Sequence, residues 1–254
     1  MDHVLTILGS GTLLPDHRRH GPAHHLRLGG ASLLLDCGPG TLDGFSRYHV
    51  EWSDLSHIVL THFHNDHVGD LGALLFALKH GARPPREAPL RVLGPTGTRD
   101  FMERLAGALG DHVLDPGFPL HVGELTPGAP FRGEDWSVAV FPTPHTEESV
   151  AVRVTTGRGD VGYTGDTGPS PEVASFLRDC AVVIAECAFP DPPPFPGHLT
   201  PSALGEMASV MRPDTLVLTH VYPLHTPEEA GRGVSESGYE GVVIPGEDGM
   251  TLRF

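Results

Sequence analysis

The sequence predicts an α/β (α+β) protein in which two β-sheets pack face to face, with helices on their outer sides. Two patterns predict this fold class. Apolar strand stretches dominate the first third of the chain, and strand and helix patterns alternate in both halves. The 254 residues are enough to bury a substantial core, and no long linker or internal repeat divides them. We therefore expect a single domain over residues 1–254.

The individual elements are predicted from apolar periodicity and from the turn residues beside them. The apolar stretch 31–35, for example, lies between Gly29-Gly30 and the turn sequence Cys37-Gly38-Pro39-Gly40. Thr200 is a candidate N-cap for the helix that follows it. The predicted strands are 4–8, 31–35, 57–60, 90–93, 136–141, 150–155, 161–164, 181–185 and 215–218, and the predicted helices are 68–79, 97–109, 171–178 and 201–211.

The composition limits the classes of function. A formal charge of −15 disfavours broad neutralisation of nucleic-acid phosphates, which needs a basic face. No stretch approaches the roughly 18 consecutive apolar residues that span a bilayer, and the N-terminus does not resemble a secretory signal. We therefore expect no membrane partner and a cytoplasmic location. Cys37, Cys180 and Cys187 form no Cys-x-x-Cys pair, which argues against a disulfide framework and against a cysteine-rich zinc site.

A dense group of histidines marks the first candidate site. In His62-x-His64-x-Asp66-His67, three imidazoles and one carboxylate fall within six residues after a predicted strand. These donors suit Zn²⁺ or another borderline divalent ion. Chance would produce this pattern only about 0.005 times in a chain of this composition. A purely structural zinc site is the stronger alternative, although such sites usually close with four ligands and are commonly rich in cysteine.

Three further metal-type residues, His145, Asp166 and His220, each occur in a loop directly after a predicted strand. Each of them alone is more often a surface or capping residue than a ligand. In this order, together with the histidine group and the segment Ile-Leu-Gly-Ser-Gly-Thr at 7–12, they resemble the metallo-β-lactamase superfamily. The resemblance spans nearly the whole chain.

This resemblance implies a four-layer αββα sandwich with the metal ligands gathered at one edge of the two sheets. It also implies two divalent metal ions per chain, with Zn²⁺ favoured and Mn²⁺ or Fe as alternatives, because imidazole–carboxylate sites accept several metals. Seven ligands around two ions leave positions for water and substrate. In the implied assignment His62, His64 and His145 hold one ion, Asp66, His67 and His220 hold the other, and Asp166 bridges them.

Hydrolysis is the chemistry that the resemblance implies, because two neighbouring ions would lower the pKa of a shared water and polarise the bond to be cut. Asp66 would orient the resulting hydroxide as well as bind metal. His64 stands where diiron redox relatives generally carry glutamate, which favours hydrolysis over electron transfer. Asp36 is a candidate partner for a ligand histidine, and a turn residue at a strand end is an equal alternative for it.

Two later segments indicate which kind of bond the protein hydrolyses. Glu186-Cys187-Ala188-Phe189 and His198-Leu199-Thr200 resemble the Glu-Ala-Thr-Phe and His-Ser-Thr segments of the tRNase Z group and its small phosphodiesterase relatives. The resemblance implies that His198 is a general acid, which protonates the leaving oxygen, and that Glu186 orients it. The alternative is a helix lead-in in which only Thr200 has a role.

The distance between two ligands along the chain bears on the substrate. In tRNase Z a long arm that grips tRNA is inserted between the positions of His145 and Asp166, whereas here only 20 residues separate them. Those residues are enough for two strands and a turn. We therefore predict a metal-dependent phosphodiesterase that acts on small or cyclic phosphodiesters, and specific tRNA binding is disfavoured.

Three alternatives stay open. A tRNase Z-like RNA endonuclease needs a basic surface, and the only candidate is the stretch 17–27, with Arg18, Arg19, Arg27 and four histidines, for which a solvated loop is the more ordinary interpretation. A thioester or lactone hydrolase would use the same metals. A non-catalytic metal-binding module would dock a partner through the proline-rich segment 190–196. A homodimer is expected from the resemblance alone.

Overall fold

The computed structural model describes residues 3–194 and 196–254. The first two residues of the chain, and Phe195 of the proline-rich segment, lie outside the described residues. By their internal contacts, the residues form two compact units. Unit 1 comprises Met1–Gly9, Pro15–Leu125 and Asp248–Arg253, and unit 2 comprises Ser10–Leu14, Thr126–Glu247 and Phe254.

Short strands and helices make up both units. The strands are β1 (Val4–Gly9), β2 (Ala23–Leu28), β3 (Ala31–Leu35), β4 (His57–Val59), β5 (Leu90–Gly94), β6 (Leu120–Glu124), β7 (Phe131–Arg132), β8 (Trp136–Pro142), β9 (Val150–Thr156), β10 (Val161–Tyr163), β11 (Val182–Glu186), β12 (Thr215–Thr219), β13 (Val242–Pro245) and β14 (Thr251–Arg253). The helices are α1 (Thr41–Arg47), α2 (Asn65–Val68), α3 (Leu71–His80), α4 (Thr98–Leu109), α5 (Pro171–Phe176), α6 (Pro201–Met211) and α7 (Pro227–Glu236), with a 3-10 turn at Asp111–Val113.

Unit 1 contains a seven-stranded mixed sheet in the order β14-β1-β2-β3-β4-β5-β6. The strands from β3 to β6 are parallel, so their carboxyl ends meet at one edge of the sheet. The core joins Leu34 and Ile58 of this sheet to Phe45 of α1, Leu74 of α3 and Met102 of α4. Burial of these apolar side chains holds the helices on the sheet.

Unit 2 contains the second seven-stranded mixed sheet, in the order β13-β12-β11-β10-β9-β8-β7. The strands from β10 to β13 are parallel, so the residues that follow them again share one edge. The core joins Val183 and Leu216 to Val173 of α5, Leu204 of α6 and Val234 of α7. Every residue of β11 is buried, which explains why this strand is an unbroken apolar run until its last residue.

Several elements were missed by the sequence prediction. These are α1, α2, α7 and five strands, and β2 shows the reason most clearly. Its sequence is Ala-His-His-Leu-Arg-Leu, which has no apolar periodicity, yet His24 and His25 are buried in the sheet. Burial by tertiary contacts therefore overrides the local pattern. The N-cap prediction is confirmed, because the Thr200 side chain accepts a hydrogen bond from the backbone N–H of Ala203.

The predicted helix 68–79 is in fact preceded by a separate short helix, since α2 ends at Val68 and α3 begins at Leu71. Gly69 and Asp70 lie between the two helices. The Asp70 carboxylate accepts hydrogen bonds from the backbone N–H groups of Gly40 and Leu42, at 3.0 and 3.2 Å, in the first turn of α1. This long-range tie to α1 is absent from any local pattern.

The stretch 17–27 is neither a basic surface nor simply a solvated loop. Its second half is β2, and two of its three arginines, Arg19 and Arg27, pair with the carboxylates of Asp16 and Asp54. Arg19 contacts Asp16 at 3.0 Å, and the Nδ1 atom of His20 lies 2.9 Å from Asp248. The basic patch considered for RNA is therefore largely neutralised. Among the described residues no helix is long and apolar enough to cross a membrane.

Buried histidines predict a loss of stability in acid. Burial lowers the pKa of His25 to about 4 and that of His57 to about 4, whereas an unfolded histidine titrates near 6.5. Between these pH values the unfolded chain binds more protons, so stability falls as the pH drops from about 6.5 to about 4. Over that range His25 alone accounts for about 3 kcal/mol. We expect the melting temperature, measured by circular dichroism in the presence of chelator, to fall across this range.

The His25→Gln variant should lose less stability over the same range, because its side chain cannot take up a proton. His121→Gln is the matched control, since His121 is exposed on β6. Equal pH dependence in His25→Gln and the wild-type protein would contradict the prediction.

Candidate metal centre

The histidine group of unit 1 lies where β4 leads into α2. His62 follows the strand, His64 is the N-cap of α2, and Asp66 and His67 are in the helix. The sequence prediction placed all four on a loop, and for Asp66 and His67 that was wrong. Metal-type donor atoms of His62 and His64 lie within 4.8 Å of each other, and so do those of Asp66 and His67. Local folding alone therefore brings these side chains together.

A buried carboxylate orients the histidines of unit 1. Asp36 follows β3 and is fully buried, in the left-handed backbone region with φ 56°. It accepts hydrogen bonds from the backbone N–H of Thr61, from the Thr61 hydroxyl and from Nδ1 of His67, at 2.8, 2.8 and 2.7 Å. Since Asp36 only accepts, the proton of a neutral His67 ring is on Nδ1, and the lone pair of Nε2 can bind a metal ion.

Thr61 extends the same arrangement to His62, and sequence reasoning missed it. Its hydroxyl donates to Asp36 and lies 3.0 Å from Nδ1 of His62. Because the single hydroxyl proton is used toward Asp36, the hydroxyl oxygen accepts from Nδ1–H of His62. The Nε2 lone pair of His62 is thus also available for a metal. A threonine directly before the first histidine was the available signal in the sequence.

Close backbone contact fixes the turn after β3 against α2. The backbone N–H of Cys37 donates to the carbonyl oxygen of His67 at 2.7 Å. A Cβ atom at Gly38 would collide with the carbonyl oxygen of Asp66, so only glycine fits there. The orienting carboxylate and the metal-type donors are therefore held by main-chain packing.

In unit 2, His145, Asp166 and His220 come together after β8, β10 and β12. Oδ2 of Asp166 lies 3.7 Å from Nε2 of His145 and 3.6 Å from Nε2 of His220. Gly165, with φ 55°, turns the chain directly before Asp166, and His220 itself has φ 55°. A non-glycine residue in this region is uncommon and often marks a functional site. One carboxylate oxygen thus faces two imidazoles.

A backbone carbonyl sets the ring of His145. Nδ1 of His145 lies 2.9 Å from the carbonyl oxygen of Gly197, which can only accept, so Nδ1 carries the proton and Nε2 faces Asp166. Gly197 has φ 95°, a conformation that favours glycine, and it directly precedes His198. One turn therefore orients His145 and also positions His198.

Glu186, which is buried, and His198, which is partly buried, form a pair beside Asp166 and His220. Nδ1 of His198 lies 3.0 Å from Oε1 of Glu186. The same carboxylate accepts from the backbone N–H groups of Thr167 and Leu199, at 2.7 and 3.1 Å. Glu186 is only 1% exposed. These contacts aim the opposite side of the His198 ring away from Glu186, and a donor atom of His198 lies within 4.8 Å of those of Asp166 and His220.

The donor set fits a divalent metal ion. Within unit 2, His145, Asp166 and His220 supply imidazole nitrogens and a carboxylate oxygen, which suit Zn²⁺, Mn²⁺ or Fe²⁺, and the histidine group of unit 1 supplies donors of the same types. The cysteines do not belong to it, because burial raises the pKa of Cys180 to about 12 and that of Cys187 well above its usual value. His198 also has the position of a possible ligand, which sequence reasoning did not consider.

The comparisons with known proteins identify the class. The family model for the Beta-lactamase superfamily domain matches residues 32–221, which extend into both units. The chain belongs to this superfamily. It is similar to the metallo-β-lactamase fold protein YhfI from Bacillus subtilis, with a TM-score of 0.88 and 22% identity over 100% of both chains. The predicted metallo-β-lactamase fold is thereby confirmed, and the single-domain interpretation stays a prediction.

Proteins of similar sequence and structure show which members of the superfamily this chain resembles. The chain is 30% identical to ribonuclease Z of Mycobacterium avium over 96% of this chain and 95% of that protein. It is 33% identical to ribonuclease Z of Mycolicibacterium gilvum, over 65% of this chain and 62% of that one. It shares the fold of the short form of human tRNase Z (TM-score 0.79, 24% identity, 98% of both chains) and of a diphosphatase of the PhnP family (0.74, 19%, 99% and 98%). The predicted resemblance to tRNase Z-like proteins is confirmed.

Replacement of the orienting carboxylate should weaken metal binding. In Asp36→Asn the side-chain shape and the left-handed backbone are tolerated, but one of the two acceptor oxygens becomes a donor. Either Thr61 or His67 then loses its acceptor. We expect metal affinity, measured by competition with a fluorescent chelator, to fall about 10- to 100-fold.

The matched control is Asp160→Asn, which removes a carboxylate that pairs with Arg153, 2.7 Å from its Nε atom. This variant should retain wild-type metal affinity. The orienting role of Asp36 is wrong if both variants lose affinity equally, or if neither does.

Proposed function

We propose that the protein is a metal-dependent phosphodiesterase that acts on small phosphodiesters. The observation that carries this proposal is the buried Glu186–His198 pair next to Asp166 and His220. A histidine with one nitrogen tied to a buried carboxylate is suited to donate a proton from its other nitrogen. Phosphodiester cleavage with a poor leaving group needs such a donor, whereas metal binding alone does not.

The metal ligands are assigned by the pattern of the family. We assign His62, His64 and His145 to one ion, Asp66, His67 and His220 to a second, and Asp166 to both. The Nδ1 hydrogen bonds of His62, His67 and His145 support this assignment. Each of these bonds uses the Nδ1 proton, so the lone pair of Nε2 is available to bind a metal ion. Bound divalent ions would supply Lewis-acid chemistry that activates water and neutralises negative charge on the phosphate. Zinc is the favoured ion, because imidazole predominates in the set.

The protein side chains then have separate roles in the reaction. The Asp66 carboxylate accepts a hydrogen bond from the attacking water and so orients its oxygen toward phosphorus. As the bond from phosphorus to the leaving oxygen breaks, His198 transfers its proton to that oxygen. Glu186 keeps the His198 ring in the orientation that this transfer needs. The products are a phosphomonoester and an alcohol.

The small size of the substrate is supported by the segment between His145 and Asp166. Strands β9 and β10 and their connecting turn occupy it, as the sequence predicted. There is no room in it for an additional arm that would hold a folded RNA. Glu147 and Glu148 follow His145 after one residue, Thr146, and add negative charge to this part of the chain. Both features disfavour a large polyanion.

Loss of the proton donor should affect substrates according to their leaving groups. We expect His198→Ala to lower kcat about 100-fold or more on methyl phenyl phosphate, and much less on bis(p-nitrophenyl) phosphate, whose leaving oxygen needs no proton. Rates would be measured with Zn²⁺ or Mn²⁺ present, and cyclic nucleotides would be tested as further substrates.

Measurement of the metal content distinguishes a His198 that donates a proton from a His198 that binds metal. His198→Ala should retain the metal content of the wild-type protein, as measured by inductively coupled plasma mass spectrometry, whereas His220→Ala should lose metal. An equal loss of rate on both substrates would remove His198 as the general acid. No turnover of any phosphodiester by the metal-loaded wild-type protein, with rapid thioester or lactone cleavage instead, would overturn the proposed function.

An RNA endonuclease is the second candidate, because relatives named ribonuclease Z match the chain over almost its full length. It would use the same residues. The described part of the chain argues against it, because Arg19 and Arg27 pair with carboxylates and the segment after His145 is short. We expect no cleavage of precursor tRNA by the metal-loaded protein at low salt, where electrostatic binding is strongest. Specific cleavage under those conditions, measured on denaturing gels, would favour the endonuclease instead.

A further inference from the structure

An aromatic pair, Phe189 and Tyr222, adjoins His198 and is not used by the proposed chemistry. The two rings are stacked, with centroids 4.8 Å apart and an interplanar angle of 29°. Phe189 is 2% exposed, whereas Tyr222 is only partly buried. Phe189 is thus the buried ring of the pair and Tyr222 the partly exposed one.

Tyr222 contacts both the proposed proton donor, His198, and a proposed metal ligand, His220. Its ring centroid lies 6.4 Å from that of His198 and 5.5 Å from that of His220, in both cases edge to face. Phe189 also meets His198 edge to face, at 5.4 Å. Since His198 protonates the leaving oxygen, the group attached to that oxygen must lie next to His198. Tyr222 is the partly exposed ring at that position.

The backbone holds this ring in place. The N–H of Tyr222 donates to the carbonyl oxygen of Ala188 at 3.0 Å, and the N–H of Leu224 donates to the carbonyl oxygen of Tyr222 at 2.8 Å. His225 turns back toward the carbonyl oxygen of Cys187, 3.3 Å from its Nε2 atom. The turn 222–225 is thus tied to the end of β11, and it displays Leu224, which is 64% exposed. These hydrogen bonds hold the turn that carries Tyr222 against the residues that follow β11.

We propose that Tyr222 forms the wall of a leaving-group subsite and that the subsite selects phosphodiesters whose leaving group contains a flat aromatic ring. This inference rests on the proposed function. A preformed aromatic face binds a planar ring at small entropic cost, and stacking of this kind changes affinity about tenfold or more. An aliphatic leaving group of similar acidity lacks the flat face and gains little. Aryl esters and esters with a nucleoside leaving group belong to the selected class.

The test compares two substrates whose leaving oxygens have similar acidity, methyl phenyl phosphate and methyl hexafluoroisopropyl phosphate. In Tyr222→Leu we expect KM for the phenyl ester to rise about tenfold, with little change in kcat. Both constants for the fluoroalkyl ester should stay within twofold of the wild-type values. Tyr222→Phe keeps the ring and should retain wild-type values for both substrates.

A matched control is Phe76→Leu, which removes an exposed ring from α3, where Phe76 contacts His80 and His112. It should leave both substrates unaffected. If Tyr222→Leu does not fold, Tyr222→Met supplies a second flexible, non-aromatic side chain. The subsite is wrong if the non-aromatic variants change both substrates equally, or if Tyr222→Phe behaves as they do.

Binding is measured separately from turnover. Calorimetric titration of the metal-loaded protein with phenyl phosphate and ethyl phosphate should show about tenfold weaker binding of phenyl phosphate in Tyr222→Leu, and no change for ethyl phosphate. If the wild-type protein hydrolyses neither diester, the proposed function fails, while the binding difference still supports the subsite. If Tyr222→Leu binds phenyl phosphate as tightly as the wild-type protein does, the proposed subsite is wrong.

Discussion

In each unit, a buried carboxylate at the end of a parallel strand fixes an imidazole, and the candidate site depends on this contact. Asp36 follows β3 and accepts from His67 and twice from Thr61, and Glu186 ends β11 and accepts from His198 and two backbone N–H groups. Several donors converge on each carboxylate, which offsets the cost of burying it. The imidazole nitrogen that bonds to the carboxylate carries a proton, so the other ring nitrogen points toward the candidate site.

In the proposed function, the two carboxylates support different roles through the same geometry. A neutral ring whose Nδ1–H is bonded to Asp36 offers a lone pair to a metal ion. A ring bonded to Glu186 can hold two protons when it is charged, and it can then give one away from the far nitrogen. What separates a ligand from a proton donor is therefore the position of the ring relative to the ions and the substrate. Measurement of metal content in the His198 variant addresses this difference directly.

The residues around the candidate site restrict the size and charge of the substrate more than the proposed metal ligands do. The connection from His145 to Asp166 is short, Glu147 and Glu148 are acidic, and the arginines nearest the N-terminus are largely paired with carboxylates. An aromatic wall at Tyr222 favours a compact, flat leaving group. The relatives named ribonuclease Z share the fold and much of the chain, but such a likeness does not transfer a substrate. Superfamily folds support several chemistries by changes in the loops around one edge.

Much of the fold and the candidate site could be predicted from the sequence. Runs such as 33–35 and 182–185 are apolar because both of their faces are buried, and this preference is visible locally. His62, His64, Asp66 and His67 are close in sequence, so their proximity required no knowledge of the fold. In contrast, β2 was missed because His24 and His25 are buried by distant contacts, and α2 was missed because its single turn has no periodicity.

The sequence by itself determined which chemical groups are present, their order along the strands and the absence of space for an arm between His145 and Asp166. Only the tertiary structure decided how they are oriented. Thr61 connects Asp36 to His62, Gly197 sets the ring of His145, and Tyr222 stacks on Phe189 beside His198. Hydrogen-bond direction and ring packing depend on residues far apart in the chain, because parallel strands bring their carboxyl ends to one edge. No local pattern contains that information.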